Sequence, residues 1–306
     1  MKKLFFVILL LTLLEQSALA ADYPKKLAIT YVKAPLNVPS IVAKYNQSFE
    51  KAYSGVTLSF PELTEGPRQT AALAANKIGI ASCLGSTSAI LAASEGLDLK
   101  ILGIYSRAPK AFMIIVKNPA IKTIKDLKGK KVAGPKGTIL HQLLATALAK
   151  EGMTTNDVQF VQMDLFSSAN ALANGAVDAS LLAGPAAYQA LNGGAYMLKN
   201  GEGLIDATIV IATTGKFMKK YPKVISTFMK THEHVLAWIK QNPNKAKNMT
   251  IKETGLPLEA VNKMFDWYDF SCEIKNSDIV ELKRTQKFLL ENSLQRKEID
   301  IKLLFN

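Results

Sequence analysis

Only two cysteines, three histidines and four arginines are spread over 306 residues. No apolar run after residue 20 approaches the ~20 residues of a membrane span. Each scarcity excludes something. Two cysteines, Cys83 and Cys272, rule out a disulfide framework and a cysteine-based metal cluster. Cys83 closes a predicted buried strand, where a thiol serves as a small hydrophobe; pairing with Cys272 is the alternative. His232-Glu233-His234 places its two imidazoles on different faces of a predicted helix, so it is no zinc pair. There is no HExxH, CxxC or GxSxG, and Asp164, Asp178 and Asp206 share no motif. Gly129 to Gly134 resembles a phosphate-binding loop, but Pro135 follows where Lys and Ser or Thr are required, and Gly137 parts Lys136 from Thr138. The net charge is +13, carried almost entirely by lysine. The lysines are dispersed and no aromatic-interleaved basic stripe appears, so nucleic acid is not an expected partner.

At the N-terminus, Met1-Lys2-Lys3, the apolar run Leu4 to Leu14 and Ala18-Leu19-Ala20 read as a secretory signal peptide, residues 1–20, cleaved after Ala20. Its removal takes away Lys2, Lys3 and Glu15. The remaining chain is long enough for two lobes with real cores.

The most informative feature is a block that occurs twice, 99 residues apart. Ala72 to Ser86 aligns without a gap on Ala171 to Pro185, with identity at the two Ala-Leu-Ala runs and a closing Gly. Each copy reads as a helix end, a short buried strand, a Gly and a new helix start. Helix starts carry unpaired N–H groups and partial positive charge, which hold anionic or polar ligands. Around the blocks, strands are predicted over 26–32, 56–60, 78–83, 99–105, 111–117, 131–133, 158–161, 177–182 and 206–212. Helices are predicted over 40–52, 68–75, 86–94, 138–150, 167–173 and 185–191. From Tyr221 onward the pattern is helical, with turns near Pro243, Gly255-Leu256-Pro257 and 271–276. The alternation implies α/β lobes with mostly parallel sheets. The stretches 99–117 and 206–213 would both pass between lobes. The first lobe is then discontinuous, 21–106 and 214–306, the second is 107–213, and two crossing strands form a hinge.

In open α/β sheets ligands sit beyond the carboxyl ends of strands. The loops there are 33–37, 65–69, 85–88, 134–141 and 183–188. They supply close backbone approach, the hydroxyls of Ser86, Thr87, Ser88 and Thr138, two cations (Arg68 and Lys136) and one aromatic (Tyr188). Arg68 opens a helix, where a cation opposes the dipole; it serves a ligand or is a solvated surface group. His141, one turn into its helix, hydrogen-bonds a ligand or is a surface or cap histidine.

In order and spacing, several segments resemble the periplasmic substrate-binding proteins of ABC importers, in the branch for aliphatic sulfonates, taurine and thiamine precursors. They are Val42-Ala43-Lys44 with Phe49-Glu50-Lys51, Gly66-Pro67 with Ala71 to Ala74, Ile78-Gly79-Ile80 leading to Gly85, and Ile124 to Ala133 with Lys136-Gly137-Thr138 and His141. The resemblance spans most of 27–215. It implies a two-lobed type II binding-protein fold, no catalysis and no cofactor. It also implies a monomer in the periplasm that delivers a small solute to an inner-membrane permease. It places the ligand loops at Gly66, Pro67 and Arg68, at Gly85, Ser86 and Thr87, and at Lys136, Gly137, Thr138 and His141. Where sulfonate binders often carry a Trp-Asp-Pro-Tyr-like stretch, this chain has Leu182-Ala183-Gly184-Pro185-Ala186-Ala187-Tyr188, which leaves room for a larger or differently shaped molecule. A thiamine-precursor pyrimidine is the alternative ligand. An enzyme on the same fold and a basic surface-interaction protein are the rival functions.

Overall fold

The computed structural model describes residues 22–32 and 36–305. The signal-peptide reading of 1–20, its cleavage point, and Lys33, Ala34 and Pro35 of the first loop lie outside the described residues.

The chain runs β1 (Lys26–Ala28), α1 (Val38–Tyr45), α2 (Ser48–Ala52), β2 (Thr57–Ser59), α3 (Gly66–Ala74), β3 (Ala81–Gly85), α4 (Ser86–Ser94) and β4 (Leu99–Arg107). There follow β5 (Phe112–Val116), β6 (Lys131–Gly134), α5 (Ile139–Lys150), β7 (Gln159–Gln162), α6 (Leu165–Ala173), β8 (Ala179–Ala183), α7 (Gly184–Asn192), β9 (Tyr196–Asn200) and β10 (Thr208–Thr214). The last part is helical: α8 (Gly215–Lys220), α9 (Pro222–Gln241), α10 (Pro243–Thr254), α11 (Leu258–Phe265) and α12 (Asn276–Glu291). Proline opens α1, α3, α7, α9 and α10, where the missing N–H costs no hydrogen bond. The helix expected over 40–52 is two helices, because Gln47 adopts φ +52° and breaks the ladder between α1 and α2.

Three sheets form, ordered β1-β2, β3-β10-β4 and β7-β6-β8-β5-β9. They are mixed rather than mostly parallel. β10 lies antiparallel to both β3 and β4, and β5 is antiparallel to β8 and β9. Among the described residues the parallel strand pairs are β1–β2, β6–β7 and β6–β8, with single parallel bridges at Ile29–Ile80 and Tyr31–Glu62. The physical reason is that β4 leaves one sheet region and β10 returns to it, so the two connections run side by side in opposite directions. β9, absent from the sequence reading, closes the edge of the five-stranded sheet with alternating half-buried and exposed residues.

Each large sheet is covered on both faces. In β5, Ile114 and Val116 join one core with Leu140, Leu143 and Leu144 of α5. Met113 and Ile115 face the other way, onto Leu172 and Ala186. This is the period-two alternation of a strand buried on both sides. The β3-β10-β4 sheet packs one face against Leu73, Ile90 and Leu282, and the other against a core that includes Phe49, Tyr105, Phe228 and Val261. A third strand-like segment joins the crossing: Arg107 and Asp269 exchange backbone hydrogen bonds at 2.8 and 2.9 Å. Its neighbour Trp267 packs against three separate cores, one from the β3-β10-β4 side and both from the five-stranded sheet.

Candidate functional site

The ends of β3 and β6 set the geometry. β3 runs straight into α4 with Gly85 as the N-cap, and no side chain caps the helix. Ser86, Thr87 and Ser88 are all buried in its first turn. β6 ends in Gly134, and Gly137 takes φ +71° to turn the chain into α5, a conformation that favours glycine. Thr138 is the N-cap, but its hydroxyl donates to Pro135 O at 2.8 Å rather than accepting from the helix. The two helix starts adjoin. A Cβ added to Gly85 would stand 3.7 Å from Ile139 Cδ1, and one on Gly137 would stand 3.9 Å from Leu91 Cδ1.

His141 lies inside this junction, not on its surface. Its Nδ1 accepts from the Gly137 N–H at 3.2 Å. Its ring lies 4.6 Å from Phe160 and 5.5 Å from Phe288. Burial, with the Lys136 ammonium nearby, lowers its pKa to about 4. It is therefore neutral at neutral pH and holds the turn around Gly137. Lys136 itself is exposed.

Gly66 is fixed by close approach: a Cβ there would fall 2.1 Å from Ser88 Oγ. The α3 start is thus pressed onto the α4 start. Pro67 is exposed. The Arg68 side chain is 71% exposed and pairs with Glu65 at 3.1 Å. It stands at the surface of the loop. Tyr188 of α7 is buried within the core that also holds Cys83 and Ile211, with the Lys263 ammonium 5.9 Å from its ring centre. Cys83 and Cys272 are both free thiols.

Sequence reasoning missed a buried polar floor behind these loops. Gln69 donates to Cys83 O at 2.9 Å, Thr30 Oγ1 accepts from the Ser82 N–H at 2.8 Å, and Ser82 Oγ donates to Thr30 O at 2.6 Å. The polar residues at alternate places in otherwise apolar strands were the available signal. Two cavities also escaped notice. One of about 410 Å³ lies between the sheet, α1 and α9, with Ser40, Tyr105 and His232 in its wall. The other, about 390 Å³, lies at the strand crossing by Arg107, Asp206 and Trp267. Neither contains a residue named as a ligand contact from sequence.

The sheets are joined by polar contacts as well. The Arg107 guanidinium grips Asp278 through two 2.6 Å bonds and Asp269 through one of 3.2 Å. Gln142 of α5 donates to Thr285 of α12 at 3.0 Å and to Glu281 at 3.4 Å. Among the described residues no helix is long and apolar enough to cross a membrane, and no group of three or more His, Cys, Asp or Glu is placed to hold a metal ion.

A sequence model of the family described as NMT1/THI5 like matches residues 35–246. A putative aliphatic sulfonates-binding protein of Escherichia coli (strain K12) is 30% identical over 288 residues, 92% of this chain and 89% of that one. Among solved structures, the alkanesulfonate-binding protein SsuA from Xanthomonas axonopodis pv. citri, bound to MOPS, superposes with a TM-score of 0.85. The identity is 25%, over 94% of this chain and 99% of the other. The periplasmic aliphatic sulphonate binding protein SsuA from Escherichia coli gives 0.82 at 28% identity, covering 92% and 98%. The mixed α/β fold is that of the periplasmic binding proteins.

Proposed function

Because the chain belongs to the NMT1/THI5-like family, we propose that it is a solute-binding protein of an ABC importer. It captures a small anionic or polar solute, alkanesulfonate- or taurine-like, and hands it to a permease in the inner membrane. In this reading residues 1–20 are a signal peptide cleaved after Ala20, and the protein works as a periplasmic monomer. Lobe one is 21–106 with 214–306, lobe two is 107–213, and β4 and β10 cross between them. The task is capture and release, not catalysis.

The observation that carries the reading is the meeting of two helix starts, α4 from β3 and α5 from β6, at Gly85 and Ile139. Backbone N–H groups at both starts favour negative charge. A solute touched by both lobes stabilises the closed arrangement, because only that arrangement makes both sets of contacts. Gly85, Ser86 and Thr87 serve from one side, and Lys136, Gly137 and Thr138 from the other. Gly66 and Pro67 shape the α3 edge, Arg68 supplies a cation at the mouth, His141 holds the Gly137 turn and Tyr188 backs the wall. The small residues Pro185-Ala186-Ala187 favour one second reading, a flat thiamine-precursor pyrimidine in the same cleft.

Thermal melting with taurine, ethanesulfonate, longer alkanesulfonates and an aminopyrimidine decides between them. A true ligand at a hundred times its Kd adds about 2.7 kcal/mol. The sulfonates are expected to raise the melting temperature and the pyrimidine is not. A pyrimidine-only response selects the second reading, and no response to any compound rejects this ligand class.

A further inference from the structure

α12 backs both helices whose starts meet at Gly85 and Ile139, and it holds them by different means. Toward α4 its contact is apolar. Leu282 and Leu289, one heptad apart and fully buried, share a core with Leu73 and Ile90. Toward α5 its contact is largely polar. Glu281, Thr285, Phe288 and Asn292 follow one another at i, i+4, i+7 and i+11, which is a single helix face. The Gln142 amide uses both its ends on that face. Its Nε2 donates to Thr285 Oγ1 at 3.0 Å and to Glu281 Oε1 at 3.4 Å, and its Oε1 accepts from the Thr285 hydroxyl at 3.3 Å. Farther along, the Thr155 hydroxyl donates to Asn292 Oδ1 at 3.0 Å. Asn292 is itself fixed, because its Nδ2 donates to Phe288 O at 2.9 Å. Gln142, Glu281 and Thr285 are all buried.

The two kinds of contact part at different cost. Separating apolar faces brings hydrocarbon into water, with a penalty that grows with the area. Separating hydrogen-bonded faces lets water replace each lost bond, so the net loss is small. α12 is therefore built to stay with α4 and to let go of α5. Its first turn stays as well, because the fully buried Asp278 is gripped by Arg107 of β4 through two 2.6 Å bonds. α5 belongs to the other side: Leu140, Leu143 and Leu144 lie in a core of the five-stranded sheet. The seam also reaches the α5 start. His141, next to Gln142, stands edge-on to Phe288 at 5.5 Å while its Nδ1 holds the Gly137 N–H.

We propose that the seam between α5 and α12 is a latch on the cleft, made when the lobes close and parted when they open to admit or release a solute. Gln142 and Thr285 then act as positioning residues that set affinity without touching the solute. A weaker latch lowers the closed fraction, and apparent affinity falls by the same factor. The latch rests on the solute-binding reading above, in which closure of the lobes captures the ligand.

The test uses the mature protein, with X-ray scattering of the solute-free chain and calorimetry with taurine as separate readouts. Gln142→Ala removes the latch amide. It is expected to raise the radius of gyration of the solute-free protein and to weaken taurine about three- to tenfold, the worth of one or two hydrogen bonds. Gln142→Leu with Thr285→Val makes the seam apolar, while Glu281 keeps Arg284 at 2.9 Å. That protein is expected to stay compact and to bind taurine at least as tightly as the wild type. Should Gln142→Ala not fold, Thr155→Val removes the outer bond and is read in the same two ways, with a weakening of about two- to threefold. An unchanged radius of gyration in the folded variant overturns the proposal. So does an expanded variant that binds taurine as tightly as the wild type, or an apolar seam that expands the solute-free protein. Should the wild type not bind taurine, that failure belongs to the ligand class, and the scattering comparison alone decides the latch.

Discussion

The units α3–β3–α4 and α6–β8–α7 match in length element by element and diverge in the side chains that could meet a solute. Their first helices start at Gly66 and Leu165 and their strands at Ala81 and Ala179. The connection before β8 is one residue shorter, so the gap-free pairing of the sequence slips by one. Ser86, Thr87 and Ser88 then stand opposite Gly184, Pro185 and Ala186. The helix starts also differ. Asp164 caps α6 by accepting from Phe166 and Ser167 N–H groups at 2.9 Å. Its counterpart Glu65 makes no cap bond and pairs with Arg68 instead. One unit satisfies its own helix start, and the other leaves its start to solvent or solute. Duplicated architecture therefore need not mean duplicated binding.

The largest effect is expected outside both units, at the end of β4 that lies between them in the chain. Arg107→Leu leaves the fully buried Asp278 without its guanidinium and is expected to cost about 3–5 kcal/mol. Urea melts that show a loss under 1 kcal/mol, roughly that of an exposed ion pair, would contradict the assigned role. The second test is pH. Burial, helped by the Asp206 carboxylate, raises the Glu281 pKa from 4.5 to about 7. The folded chain then keeps a proton that the unfolded chain has already lost. Stability from this group is complete below pH 4.5 and is lost as pH rises to about 7. The loss is about 3 kcal/mol, and Glu281→Gln should flatten that slope in melts taken across the range.

Smaller effects address the units directly. Gly66→Leu copies the residue of the second unit into the first. Its side chain meets Ser88, and a destabilisation of about 1–3 kcal/mol is expected; a neutral result would mean that α3 and α4 can part freely. Arg68→Ser, the corresponding exchange for Ser167, should change stability by less than about 0.5 kcal/mol while weakening a sulfonate in calorimetry. Unchanged affinity removes Arg68 from the cleft.

Much of this was legible in the chain. Apolar periodicity located the main elements because burial on one helix stripe or two strand faces leaves its trace at fixed spacing. The Gly-to-helix transitions marked the turns at Gly85 and Gly137. Strand direction was not legible, since β4 and β10 pair across a hundred residues and nothing local records which way each crosses. β9 was missed because an edge strand with Met197 and Lys199 exposed has no apolar run to announce it. Candidate contacts were named by residue type, and type alone does not tell that the His141 Nδ1 is occupied or that Arg68 has a neighbour in Glu65. The break at Gln47 was equally hidden, because glutamine carries no preference for positive φ.

The position of Trp267 among three cores has an optical consequence. Its indole touches side chains from both large sheets, so a relative rotation of those sheets must change the polarity around it. The chain's other tryptophan, Trp238, sits on α9 against a single core. A Trp238→Phe protein would carry one tryptophan, at the crossing, and the wavelength of its emission would report any relative motion of the two sheets with no attached label.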